Sequence, residues 1–421
     1  MQEVTDSALP VQPIRARSQL EVTDSAIPVE RTKARRRLDS IDVLRGLVMA
    51  IMAIDHVRDF LSHDLMYFDP TDLTKTHGPL FLTRWITHFC ASVFCFLAGT
   101  GAFLSFSRGK TKGELSNFLL TRGLWLVLLE VTVVQFGWMF HFEAPGGAGV
   151  IWALGWSMVA LSAVVYLPLW AVGAFGIVMI AGHNLLDPIT PSEFGSLGWL
   201  WNVLHVPGEI RVTPHWSFFV AYPLIPWIGV MAAGYAFGAI VKLEPTQRRK
   251  WLLWLGLGVT AAFVVIRAAN VYGDPLPWSA QASPLFTVFS FLNCHKYPPS
   301  LLYLLMTLGP PILFLWLLDG EVGKLWRPFI VFGRVPLFFY LLHIYLIHLV
   351  ALITSYVRHG GPAGLFAGPV GDHPTLFPAD YGFGLAGVYA AWLLVVISLY
   401  PLCRWFAELK QRRRDVWLSY L

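Results

Sequence analysis

A stretch of about twenty apolar residues cannot be left in water, and this chain repeats such stretches along nearly its whole length. They lie near 43–62, 82–106, 118–140, 151–167, 169–186, 216–240, 251–268, 300–318, 329–352 and 383–403. Each approaches the ~20 residues that cross a ~30 Å hydrocarbon core. The fourth and fifth are separated only at Pro168. As one helix they would be roughly 54 Å long, too long for one crossing, so two spans with a tight turn are expected. The fold class that follows is an all-α polytopic membrane protein, a single bundle of about ten transmembrane helices with the lipid bilayer as its first partner.

Composition excludes the soluble alternatives. Only 14% of the residues are charged and 56% are hydrophobic, against about 25% charged in soluble domains. The net charge of +5 comes from basic clusters between apolar runs, which read as topology signals and not as a nucleic-acid surface. Arg108, Lys110, Lys112 and Arg122, then Lys242, Arg248, Arg249 and Lys250, then Lys324 and Arg327, then Lys410 and Arg412–Arg414 fall on alternate connections. The other connections carry isolated cations: Lys75, Arg211, Lys296 and Arg358. Positive-inside asymmetry therefore predicts both termini in the cytoplasm. Residues 1–37 are polar, contain the near-duplicate EVTDSALPV and EVTDSAIPV, and read as a disordered cytoplasmic tail. Residues 38–421 form the membrane domain. The four cysteines (Cys90, Cys95, Cys294, Cys403) have no metal spacing and read as reduced packing residues.

Ionisable residues inside a membrane are costly and mark function by default. The first span is the richest. Asp42, Arg45, Met49, Met52, His56 and Asp59 follow a three/four spacing and share one helix face. Arg45 falls at the cytoplasmic end, and His56, eleven residues on, stands ~16 Å higher. A cation at the inner mouth and an imidazole deep on the same stripe suit a long phosphate-bearing donor that enters from the cytoplasm. The plainer alternative is that Arg45 snorkels and pairs with Asp42 while His56 bonds across helices. In the second span His88, Ser92, Cys95 and Gly99 form a polar-to-small stripe, which either packs closely against a neighbour or leaves a ligand slot. His63 and His77 in the outer loop between these two spans, His295, Lys296 and Tyr297 in NCHKYPPS, and His343 and His348 add titratable groups to the outer half. No paired spacing such as HExxH is present, so no metal is expected. Serine-elbow, P-loop and dinucleotide fingerprints are absent too.

RLDSIDVLRGLVMAIMAIDH resembles the first core helix of the transmembrane acyltransferase superfamily. With RWITHFCASVFCFLAGTGAFL, YPLIPWIGVMAAGYAFG, KYPPSLLYLLMTLGP and FGRVPLFFYLLH, residues 38–421 resemble the bacterial relatives of heparan-α-glucosaminide N-acetyltransferase. In the related acyltransferase-3 proteins a histidine thought catalytic stands where His56 stands here. In the glucosaminide acetyltransferase that position is Asn, and the catalytic histidine lies in the next outer loop, where spacing to the LAG of the second span matches His77. Arg45 matches the superfamily arginine linked to the acyl donor. The large lumenal N-terminal domain of the eukaryotic enzyme has no counterpart here, so its assembly is not carried over, and self-association into a homo-oligomer is left open.

The resemblance implies a multi-pass enzyme of the bacterial inner membrane. It would move an acetyl or other acyl group from cytoplasmic acetyl-CoA to an extracytoplasmic sugar or glycan. His56 or His77 is the expected base, with Asp55 or Asp59 holding its tautomer. An acyl-histidine intermediate is the other route. Asp42, Arg45, Asp59, His88, Lys296, Tyr297 and His343 are the expected donor- and acceptor-binding residues. The rival from another class is a transporter or flippase for small molecules or lipid-linked glycans. Such proteins show repeats and midplane sites; here the halves show no clear repeat and the polar groups gather to one side.

Overall fold

A computed structural model describes residues 29–142, 146–213, 216–413 and 415–420. The first helix, α1 (Val29–Leu61), begins inside the stretch assigned to the tail, whose residues 1–28 lie outside the described residues. Next come α2 (Gly78–Thr87) and α3 (Phe89–Phe106), nearly continuous through His88. Helix α4 (Lys112–Leu129) passes through a π-helical turn at Glu130–Val134 into α5 (Gln135–Met139). Helices α6 (Val150–Val164) and α7 (Leu169–Gly182) are separated at Pro168, as their combined length requires. The chain continues with α8 (Gly198–Leu204), α9 (Leu224–Val241), α10 (Pro245–Ala269), α11 (Pro284–Leu292) and α12 (Leu301–Leu317). It closes with α13 (Arg327–Arg334), α14 (Pro336–His359) and α15 (Leu385–Arg412).

The protein is an integral, multi-pass membrane protein, but the expected count of about ten spans needs correction. Seven segments among the described residues are long and apolar enough to cross a bilayer: Gly78–Phe106, Lys112–Met139, Leu169–Leu186, Leu224–Val241, Pro245–Ala269, Pro336–His359 and Leu385–Arg412. The other three expected spans fail for identifiable reasons. The run at 43–62 lies in α1, whose C-terminal half carries Asp55, Arg58 and Asp59. Helices α6 and α12 have 15 and 17 residues, below the ~20 of a full crossing. Two boundaries also move. Residues 216–220 form a strand ahead of α9, and the run at 329–352 is broken at Val335, where Pro336 opens α14.

The all-α expectation misses one small sheet. Strands β1 (Gly146–Ala148), β2 (Gly208–Thr213) and β3 (Trp216–Val220) pair in the order β1-β3-β2, with β1 parallel and β2 antiparallel to β3. The π-helical turn and the residue after it hold the sheet: Gly149 N donates to Glu130 Oε1 at 2.8 Å, and Gly147 N donates to Gln135 Oε1 at 3.0 Å.

Within lipid, helices are held by close packing more than by apolar burial. Helix α1 crosses α13 at Gly46 and Gly333. A Cβ on Gly46 would lie 1.8 Å from the Phe329 carbonyl oxygen, and one on Gly333 would lie 1.9 Å from that of Asp42. Only glycine permits the crossing, which brings Arg45 beside Arg334. The stripe on α3 resolves to packing and not to a slot. A Cβ at Gly99 would have Met231 O 2.0 Å away, Cys95 Sγ donates to Trp227 O at 3.1 Å, and Ser92 accepts from Thr307 at 2.8 Å. All four cysteines are free and buried.

Candidate active site

Four cations from four helices gather around an otherwise largely apolar cavity. Arg45 of α1, Arg122 of α4, Arg334 of α13 and Lys410 of α15 line a cavity of about 340 Å³ together with Met49, Phe94, Leu97, Leu126, Ile151 and Tyr340. A second hollow of about 420 Å³ shares Arg334 and Lys410 and adds Gln411. Arg45 donates to Asp42 at 3.2 Å and to the Gly333 carbonyl at 3.0 Å, and Arg334 bonds Asp39 at 3.1 Å. Two carboxylates against four cations leave the mouth net positive. The Arg45–Asp42 pairing of the plainer reading is present, and Arg45 also lines the cavity.

Tyr340 carries the lining of the cavity towards a histidine pair. Its ring centroid is 6.2 Å from that of His56 and 5.3 Å from that of His343. His56 Nδ1 and His343 Nε2 are 2.6 Å apart. Proton positions follow from what lies behind His343. Its Nδ1 faces the carbonyls of Phe339 and Tyr340 at 3.2 and 2.5 Å. A carbonyl only accepts, so His343 Nδ1 holds the proton and Nε2 a lone pair. In the neutral pair His56 Nδ1–H must then donate to that lone pair, which leaves His56 Nε2 as a free base. The ring is held edge-on to Trp138, with centroids 5.0 Å apart.

Asp55 does not take part in that pairing. One residue before His56, it turns to a different face and collects cations. Arg58 Nη2 lies 2.5 Å from it, Arg84 Nη1 2.6 Å and Lys296 Nζ 3.8 Å, while Thr87 donates at 3.1 Å. Asp59 pairs with Arg58 at 3.2 Å. The expectation that Asp55 or Asp59 holds the tautomer of His56 is therefore corrected: His343 occupies that place. Lys296 reaches the cluster because its loop is tied down from behind. Arg267, 1% exposed, donates to the carbonyls of Leu276, Ser290, Phe291 and Asn293, and Asp274 accepts from His295 N and Ser300 Oγ. The Tyr297 ring lies 5.3 Å from that of Tyr222 and 5.0 Å from Lys296 Nζ.

A family model described as "Heparan-alpha-glucosaminide N-acetyltransferase, catalytic" matches residues 37–279, more than half of the 421-residue chain. The chain belongs to that family. It is accordingly an enzyme of the acyltransferase class. Among curated proteins, no sequence matches the chain. The matched stretch supplies Arg45, Asp55, His56, Arg84 and Arg122 of this acyltransferase. Lys296, Tyr297, Arg334, Tyr340, His343 and Lys410 lie beyond it yet pack into the same constellation.

Two expected site residues stand apart in the acyltransferase. His77 is exposed at the N-cap of α2 and makes no capping bond with its side chain. His88 is 3% exposed, packs 5.4 Å from the Tyr303 ring, and its Nδ1 has no partner. Three further histidines serve the backbone: His63 bonds Tyr381 O at 2.8 Å, His295 bonds Tyr297 O at 2.8 Å and His348 bonds Gly137 O at 3.0 Å. Arg334, Tyr340 and Lys410 line the cavity without any sequence signal that marks them for it. In sequence, the basic cluster at 410–414 reads only as a topology signal.

Proposed function

We propose that this acyltransferase takes its acyl group, acetyl in the simplest case, from acyl-CoA, and delivers it to a hydroxyl or amine of a sugar or glycan on the far side of a bacterial cytoplasmic membrane. The observation that carries the reading is the cavity, lined by four cations and by an apolar wall that includes Tyr340, whose ring packs edge-on against His56. Phosphates suit the Arg45, Arg122, Arg334 and Lys410 end, where charge-assisted bonds are strong. A pantetheine arm suits the apolar wall, and ~16 Å of helix separates Arg45 from His56. His56 Nε2 takes the acceptor proton as the acceptor attacks the thioester carbonyl, CoA thiolate leaves, and the proton is passed on to that thiolate or to water. His77, matched by family resemblance, is the alternative base. The Asp55, Asp59, Lys296 and Tyr297 group faces the acceptor. In this orientation both termini and the cationic mouth lie in the cytoplasm, in keeping with the distribution of loop cations; that takes an even number of crossings, so helices among α1, α6 and α12 must complete the seven long segments, and residues 38–421 act as one unit.

The experiment is acyl-CoA binding to the purified protein. Arg334→Ala and Arg45→Ala are each expected to weaken binding by roughly ten- to hundredfold, the loss of one charge-assisted hydrogen bond of about 1.5–3 kcal/mol. Arg45→Lys restores only part, because the fork is lost. Unchanged affinity in both alanine variants would remove the donor from this cavity.

A further inference from the structure

Away from the cavity and the Asp55 cluster, the segment between α7 and β2 buries a second group of titratable side chains. His183 and His205 are 2% and 1% exposed. Among the described residues no three His, Cys, Asp or Glu side chains form a metal-binding group, so any site here has two protein ligands at most. His183 Nδ1 lies 3.2 and 3.0 Å from the carbonyls of Met179 and Ile180. It must hold the proton there, which puts a lone pair on Nε2. His205 Nε2 lies 3.0 Å from Asp187 Oδ1, and Asp187 Oδ2 accepts from Asn184 Nδ2 at 2.9 Å. The carboxylate accepts, so His205 has its proton on Nε2 and a lone pair on Nδ1.

Both remaining nitrogens, His183 Nε2 and His205 Nδ1, are buried without a hydrogen-bond partner. Buried acceptors left bare are costly, so a partner that takes both lone pairs is favoured. The rings stand with centroids 6.1 Å apart at 69°, and no direct bond joins them. A metal-bound histidine typically donates its other N–H to a carboxylate or a backbone carbonyl. Here one ring does the first and the other does the second. With metal–nitrogen bonds of ~2.0–2.1 Å, two imidazoles sharing one ion have ring centroids roughly 5 Å apart at a tetrahedral angle and roughly 6.4 Å apart in a linear pair, and the observed spacing falls between the two.

We propose that His183 Nε2 and His205 Nδ1 bind one late first-row transition-metal ion, Zn(II) or Cu(I), buried beyond the end of α7. Imidazole nitrogen suits these ions, whereas calcium and magnesium require oxygen donors. Two protein ligands serve Cu(I) alone or Zn(II) with water completing the shell. The ion would do more than close a loop. Asn184, bonded to Asp187, accepts from Leu301 N at 2.8 Å, four residues after Tyr297. The site is thereby coupled to the loop that carries Lys296 and Tyr297.

The test uses full-length purified protein, stripped with a chelator and titrated with Zn(II) or, under reductant, with Cu(I). Bound metal is measured after desalting. Wild type is expected to retain one equivalent of one of the two ions, and the arm that saturates names it. His183→Gln and His205→Gln should each lose that equivalent. Asp187→Asn keeps both ligands but loses the carboxylate behind His205, and should weaken binding ten- to hundredfold. It also decides the matter if either glutamine variant fails to fold. No retained metal in wild type would mean that a bridging water fills the gap, and would overturn the proposal. Equal retention by the glutamine variants, or unchanged affinity in Asp187→Asn, would do so as well.

Discussion

Replacing His343 with alanine removes the hydrogen bond that fixes the tautomer of His56. That bond is a neutral N–H···N interaction of 2.6 Å, with a net value of about 1 kcal/mol. At 1.36 kcal/mol per tenfold, its removal alone is about a fivefold loss of rate. Freed of its acceptor, His56 also populates the form with the proton on Nε2, which cannot act as a base, and its ring is no longer held against Trp138. The combined expectation is roughly a 10- to 100-fold fall in acyl transfer, less than the ~10²–10⁴ carried by the base itself. Donor affinity should be unchanged, because His343 does not line the cavity. His343→Gln offers a carbonyl acceptor to His56 Nδ1–H and should recover part of the rate. The assay is transfer of labelled acetyl from saturating acetyl-CoA in vesicles, beside a melting curve for each variant. An alanine variant that folds and transfers at the wild-type rate would refute the tautomer argument.

Gly333→Ala forces α13 away from the Asp42 carbonyl, which a Cβ would approach to 1.9 Å. Overpacking of about 1–3 kcal/mol is expected, seen as a lower melting temperature. Acyl-CoA affinity should fall too, since Arg45 bonds the Gly333 carbonyl and Arg334 follows it. The proposed orientation places the α9–α10 connection in the cytoplasm. A cysteine introduced by Thr246→Cys should therefore resist an impermeant thiol reagent applied outside intact cells; labelling from outside would reverse the topology.

How much of this is legible in the sequence depends on whether a feature is local. The apolar runs define the class of fold, and the three/four spacing on α1 places Arg45 and His56 on one stripe of one helix, where α1 keeps them. The break at Pro168 follows from length alone. Features made by convergence are not legible. Arg334, Tyr340 and Lys410 come from helices far from α1 in sequence, and no spacing relates them. The partner of His56 illustrates the point: Asp55 is adjacent in sequence, yet one residue on a helix is a turn of about 100°, so it faces other groups and His343 takes the place. The stripe His88, Ser92, Cys95 and Gly99 reads identically whether it opens a slot or admits a neighbour, and the approach of α9 decides for the neighbour. Helices α6 and α12 read as spans because their apolar character is complete, while their lengths fall short.

If an acyl group carried by CoA reaches His56 through the cationic cavity, donor binding and acyl transfer should separate when His56 is removed. A single-turnover measurement with labelled acetyl-CoA shows this, comparing wild type and His56→Ala for donor binding and for release of CoA in the presence of amine or hydroxyl acceptors. The expected result is equal donor affinity in the two proteins, with transfer in His56→Ala slower by ~10²–10⁴. Wild-type protein that binds no acyl-CoA, or a folded His56→Ala variant that transfers at full rate, would contradict the account.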